Sequence, residues 1–182
     1  MIDYILHIGG RGGSGKTTII DVLNERLDLK KTKNFTSRKP RFPDEWGYFF
    51  VTEDEFIAKL RDNQIIECYF RKSNNSYYGL PAPTQTGIVN CEIMGLVALK
   101  KWCFQNNVKF LSIYLDVHRE TLYDRIKSRG DVNETPENRL KEDEYYEIFK
   151  NVYDIIYDYN DKTVEEGFSD IVGMMKNAGI IA

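Results

Sequence analysis

Histidine and cysteine are scarce in this chain of 182 residues, with two of the first and three of the second. Cys68, Cys91 and Cys103 show no close pair spacing, so the sequence carries neither a disulfide framework nor a zinc-binding pattern. The three read as reduced, part-buried thiols. No apolar run approaches the length needed to span a membrane, and no membrane partner is expected. The N-terminus has no basic stretch followed by an apolar signal core, so the expectation is a cytoplasmic protein. Surplus positive charge is also missing. The formal net charge of −3 argues against nucleic acid as the main partner. Internal repeats and low-complexity linkers are absent. Length and apolar content fit one domain with an ordinary core.

Glycine, by contrast, is concentrated. Four of the 13 glycines fall in Gly10-Arg11-Gly12-Gly13-Ser14-Gly15-Lys16-Thr17, which follows an apolar run at 4–8 and leads into an amphipathic stretch with Ile19, Ile20, Leu23 and Leu27 on one face. Strand, glycine loop and helix in that order are the setting of a phosphate-binding loop. The glycines allow consecutive backbone N–H groups to turn onto an anion, and the helix N-terminus adds the positive end of its dipole. Lys16 is placed to reach the β- and γ-phosphates of a nucleoside triphosphate, and the Thr17 hydroxyl to ligate Mg²⁺.

Basic residues cluster immediately afterwards. Six of the twelve residues at 30–41 are Lys or Arg and none is acidic. Lys30, Lys31 and Lys33 read as a solvated run. Arg38 and Arg41 differ, because Pro40 restricts the backbone between them and two guanidinium forks so held can grip one phosphate from two sides. A second phosphate clamp implies a second phosphorylated substrate.

Further elements follow in sequence: a strand at 48–51, then a helix opened by the capping box Thr52-Glu53-Asp54-Glu55 with Phe56, Ile57 and Leu60 turned inward. A strand at 65–70 carries Glu67 between apolar neighbours, and a polar turn at 74–76 precedes Tyr77-Tyr78-Gly79-Leu80-Pro81. A strand at 87–93 contains Asn90 and Glu92. A mostly apolar strand at 108–115 has the character of a buried parallel-sheet member. Asp116 is expected as an anion at the N-terminus of the helix at 119–128, or as a group behind magnesium. His7 is expected in the core and His118 on the surface. Residues 129–140 are polar and glycine-bearing, ending with Thr135 as N-cap and Pro136 at the first helical position, in the manner of a lid. An amphipathic segment with Tyr145, Ile148, Phe149 and Val152 inward, a short strand at 155–157 and a helix opened by Thr163-Val164-Glu165-Glu166 close the chain. That helix buries Val164, Phe168, Ile171, Val172 and Met175. Strands alternating with helices give an α/β fold: a parallel sheet flanked by helices.

The series Thr36-Ser37-Arg38-Lys39-Pro40-Arg41, Gly47-Tyr48-Phe49-Phe50-Val51, Glu67 and Tyr77-Tyr78-Gly79, behind an intact glycine loop, resembles the guanylate kinase family. The likeness is strongest over 3–95. It implies a P-loop core at about 1–33 and 84–182, an NMP-binding subdomain at about 34–83 and a lid at about 126–142. It implies the activity as well: transfer of the γ-phosphoryl of MgATP to GMP, giving GDP and ADP. Arg38, Arg41, Tyr48 and Tyr78 then bind the monophosphate, and Glu67 accepts from guanine N1 and N2. That pairing is chemically apt, since a carboxylate only accepts and guanine presents two adjacent donors. Asn34 stands where the family has serine, and its amide still donates to guanine O6. Leu80-Pro81 replaces a small hydroxyl residue. Glu92 keeps the second carboxylate of the family's acidic pair, toward the base amino group or magnesium-bound water, while Asn90 replaces the first. Arg129 and Arg139 flank the lid and close over the phosphates. Monomer and homodimer both stay open. The alternatives are a kinase for another (deoxy)nucleoside monophosphate, or a non-catalytic binding module of the same fold.

Overall fold

A computed structural model describes residues 2–40, 42–128 and 135–182. The chain runs β1 (Tyr4–Gly9), α1 (Lys16–Leu27), β2 (Lys30–Lys31), β3 (Asn34–Thr36), β4 (Tyr48–Phe50), α2 (Glu53–Arg61), β5 (Ile65–Arg71), β6 (Ser76–Pro81) and β7 (Gly87–Val89). It continues through α3 (Ile93–Gln105), β8 (Lys109–Asp116), α4 (Arg119–Ser128), α5 (Pro136–Glu142), α6 (Glu144–Phe149), β9 (Ile155–Asp158) and α7 (Val164–Asn177). A parallel five-stranded sheet has the order β2-β7-β1-β8-β9, and a second sheet of four strands has the order β4-β3-β6-β5. The expected α/β architecture is therefore present.

Two compact units divide the chain. One comprises 1–5 and 30–110, the other 6–29 and 111–182. In the first, Ile5, Leu80, Val89, Leu99 and Cys103 form a buried cluster, so β6 and β7 are anchored by α3. Phe56 is buried from α2, and its ring lies 5.4 Å from that of Tyr77. In the second unit Ile8, Ile19, Leu23, Ile113, Leu115 and Leu122 are fully or almost fully buried. His7 is buried too, stacked on Tyr153 at 5.6 Å, and His118 is exposed, both as expected.

Capping governs the helix starts. Thr52 and Thr163 each accept from the N3 amide and each form the reciprocal bond with Glu55 and Glu166, while Thr135 caps α5. Each such cap is worth about 1 kcal/mol.

Several expectations fail for identifiable reasons. Lys30–Lys31 and Asn34–Thr36 are strands, because β7 and β6 supply partners that local polarity does not reveal. Ser76, expected in the polar turn, opens a strand that runs to Pro81. Leu60 is 42% exposed, since α2 is short and Phe56 alone fills its contact. The segment after the lid breaks at Asp143, which lies between α5 and α6. That break shifts the helical phase, so Leu140 and Tyr146 are buried while Ile148 and Phe149 are exposed. Tyr145 and Val164 are likewise more than one-third exposed. The Asp116 carboxylate accepts from Lys150 Nζ at 3.0 Å, a contact that the sequence does not indicate.

Candidate active site

The glycine loop lies in the second unit, between β1 and α1. Gly13 and Gly15 adopt φ +84° and +92°, values that L side chains rarely tolerate, and Gly15 is the left-handed residue from which α1 starts. The first N–H groups of α1 have no intrahelical acceptor, which is the general condition for anion binding at a helix start. Lys16 curls back, its Nζ donating to the Gly10 and Arg11 carbonyls at 2.6 and 2.8 Å. The Thr17 residue is exposed.

Three side chains brace the loop, one from the loop itself and two from elsewhere in the unit. The buried Arg11 reaches the Val117 carbonyl at 2.8 Å and lies 3.8 Å from Glu147. Arg125 donates to the Gly13 carbonyl at 3.2 Å. Asp143, 4% exposed, accepts from the Gly12 amide at 2.6 Å and from Arg139 Nε at 3.3 Å. Arg11 is one of the loop residues the sequence already marks, whereas Asp143 is marked by neither composition nor periodicity.

The four-stranded sheet in the first unit carries the other group. Register pairs Asn34 with Tyr48, Thr36 with both Phe50 and Tyr78, Tyr69 with Tyr78, and Glu67 with Leu80. Strand alternation therefore puts Asn34, Tyr48, Glu67, Tyr69 and Tyr78 on one face, and Phe35, Phe49, Phe70 and Tyr77 on the other. Ring contacts agree: Tyr78 stacks on Tyr69 at 5.2 Å and meets Tyr48 edge-on at 5.9 Å. A register shift between Ile65 and Glu67 sets the carboxylate's position in the row.

Arg38 lies over Tyr48 at 4.8 Å and Phe50 at 5.1 Å. Its fork holds the Glu45 carboxylate at 2.8 and 2.5 Å, both side chains only 8% exposed, and its Nε is buried without a protein partner. A bound carboxylate in a guanidinium fork stands where a phosphate would fit. Asn34 Nδ2 donates to the Asn90 carbonyl at 2.9 Å, leaving its second N–H. The hydroxyl of Tyr78 accepts from Asn74 at 2.6 Å.

Burial, and then the charge of Glu92, push the Glu67 carboxyl above its ordinary range. The same surroundings push the part-buried Cys91 thiol up. Gly95 faces them, and a Cβ there would meet Cys91 at 2.8 Å. Arg71 was not anticipated: its guanidinium covers Tyr78 at 5.2 Å and Tyr69 at 5.9 Å, adding a cation to the face. Only the strand pairing reveals it, because residue 71 looks like the start of a turn.

Of the sequence-predicted residues, Asn34, Arg38, Tyr48, Glu67 and Tyr78 thus share one sheet face with Glu92 nearby in charge terms, and Gly10 to Thr17 form the loop with Arg139 beside it. Arg41 and Arg129 lie outside the described residues.

No protein-family model matches the chain. Individual relatives do. The guanylate kinase of Mycoplasmoides gallisepticum is 31% identical over 178 residues, covering 89% of this chain and 88% of that protein. That of Bacteroides thetaiotaomicron is 30% identical over 85% of this chain and 80% of the other, and that of Fusobacterium nucleatum is 26% identical over 93% and 94%. The crystal structure of guanylate kinase from Anaplasma phagocytophilum superposes with a TM-score of 0.67 at 21% identity, over 97% of this chain and 86% of that one, which supports the fold. Loop, sheet face and near full-length similarity converge, and the chain belongs to the guanylate kinase family.

Proposed function

We propose that this chain is an ATP-dependent nucleoside monophosphate kinase that transfers the γ-phosphoryl of MgATP to GMP, giving GDP and ADP. The observation that carries the reading is the single sheet face bearing Arg38, Tyr48, Tyr78 and Glu67, in a chain whose relatives are guanylate kinases. The glycine loop holds the triphosphate, with Lys16 swinging from its backbone acceptors to the phosphates. Arg38, Tyr48 and Tyr78 hold the acceptor phosphate, joined by Arg41. Monophosphate displaces Glu45 from the Arg38 fork, with Nε–H as a further donor. Glu67 accepts from guanine N1 and N2, Asn34 donates to O6, and Glu92 assists at the base amino group.

Among the described residues no cluster of three or more His, Cys, Asp or Glu is placed to hold a metal. The exposed Thr17 hydroxyl is the group that would hold a magnesium ion brought with the nucleotide. When bound, the ion supplies charge neutralisation on the phosphates. Arg139, joined by Arg129, stabilises the charge spread over the transferring group. No general base is required, because the acceptor oxygen is anionic near neutral pH, and catalysis rests on positioning and electrostatics. The working division is a core at about 1–33 and 84–182, an NMP-binding subdomain at about 34–83 and a lid at about 126–142.

The test is a coupled ADP-release assay with MgATP and GMP, dGMP, AMP, CMP and TMP in parallel. Turnover at least tenfold faster with GMP than with AMP, CMP or TMP is expected. A preference for AMP, CMP or TMP overturns the guanine assignment, and no turnover with any of them overturns the enzyme.

A further inference from the structure

We propose that Asp143 is a positioning residue for phosphoryl transfer: its buried carboxylate ties the Arg139 guanidinium to the glycine loop at Gly12. The inference rests on the role given to Arg139 above and adds how that arginine is held.

Four observations carry it. Asp143 is 4% exposed, and an acid at that depth needs partners to offset its desolvation. Its partners are Arg139 Nε at 3.3 Å, one helical turn earlier, and the Gly12 amide at 2.6 Å, which belongs to the loop 131 residues away. The carboxylate therefore spans two pieces of the same unit, whereas a surface ion pair along one helix would touch only its own helix. Gly12 lacks the positive φ of Gly13 and Gly15, so backbone conformation does not demand glycine there. Space does: a Cβ on residue 12 would sit 2.8 Å from Asp143 Oδ2 and 3.0 Å from Arg139 Nε. The missing side chain is the room in which the acid–arginine pair lies. Finally, the chain breaks between α5 and α6 at Asp143 itself, which turns the carboxylate toward the loop instead of along a continuous helix.

The electrostatic consequence is specific. A carboxylate beside a loop that binds a triphosphate repels the ligand unless a cation neutralises it. Arg139 does so, and Asp143 in return fixes the arginine where the transferring group passes. Removing the arginine alone then leaves an uncompensated negative charge against the phosphates, a worse state than removing both.

The experiment is a double-mutant cycle on the full chain with MgATP and GMP, using Arg139→Ala, Asp143→Ala and the double variant, plus Asp143→Asn, which keeps an acceptor for the Gly12 amide and preserves the fold. Arg139→Ala is expected to lower kcat about 100-fold, in the range found for losing one transition-state donor. Asp143→Ala and Asp143→Asn should lower kcat at least tenfold. Adding Asp143→Ala to Arg139→Ala should cause no further fall in kcat and should reduce the raised KM for ATP. Additive losses in kcat, or Asp143 variants with unchanged kcat and only a lower Tm, overturn the positioning role. Wild-type kcat in Arg139→Ala would instead overturn the assignment of Arg139, and the inference with it; the two failures are distinguishable by which single variant stays active.

Discussion

On the proposed function the glycine loop and the four-stranded sheet would each hold a phosphate, by opposite means. The loop uses backbone: glycine conformations, the start of α1 and one lysine, with residues 10–17 contiguous in sequence. Backbone donors carry no information about a base, so such a cradle suits the nucleotide common to many enzymes. The sheet uses side chains from β3, β4, β5 and β6, gathered by strand pairing from 34 to 80. Side chains at separate strands can be exchanged one at a time, and on the proposed function this is where selectivity for the acceptor would reside. The lesson is that a contiguous backbone cradle depends on local spacing, whereas a side-chain face assembled by strand pairing depends on register.

The largest effect should come from the backbone cradle's single side chain. Lys16→Ala is expected to lower kcat by about two to three orders of magnitude, the scale of removing a preorganised donor to a developing charge, with Tm unchanged. Steady-state ADP release and a thermal melt check both halves, and unchanged turnover would break the contrast.

Arg38→Ala should behave differently, striking binding and folding together. The buried Arg38–Glu45 pair would be lost, which should lower stability, and KM for GMP should rise while KM for ATP stays constant. Denaturant unfolding with nucleotide titrations measures this. A variant with raised KM for both nucleotides would blur the two regions.

The smallest effect concerns pH. On the proposed function Glu67 can accept from both guanine donors only when ionised, and burial together with Glu92 raises its pKa above the ordinary value of 4.5. The acid limb of kcat/KM for GMP should therefore fall away at a pH above that value as protons are added. Glu92→Gln removes one of the two causes and should move the limb down toward 4.5. An unmoved limb would mean that another group titrates there.

Legibility followed the same division. α1 and the glycine loop were readable because adjacent residues carry the whole signal, and the capping boxes at Thr52 and Thr163 gave two helix starts for the same reason. β2 and β3 were not, since strands of two and three residues exist only through pairing, β2 with β7 and β3 with both β4 and β6, and local sequence does not show those partners. Arg38, Tyr48, Glu67 and Tyr78 were nameable through the order of motifs, but their sharing of one face followed only from register. Arg71, Glu45 and Asp143 escaped altogether. Each is a charged residue of the kind that normally faces solvent, and only tertiary contacts distinguish it.

The most direct test of the central claim, that side chains on one sheet face choose the acceptor, is turnover with GMP against IMP in wild type and Glu67→Gln. IMP lacks the N2 amino group that a carboxylate would accept from. The account predicts a clear GMP preference in wild type, about tenfold or more for a lost charge-assisted bond, and its collapse toward equality in Glu67→Gln. A Glu67→Gln enzyme that keeps the full preference would contradict it.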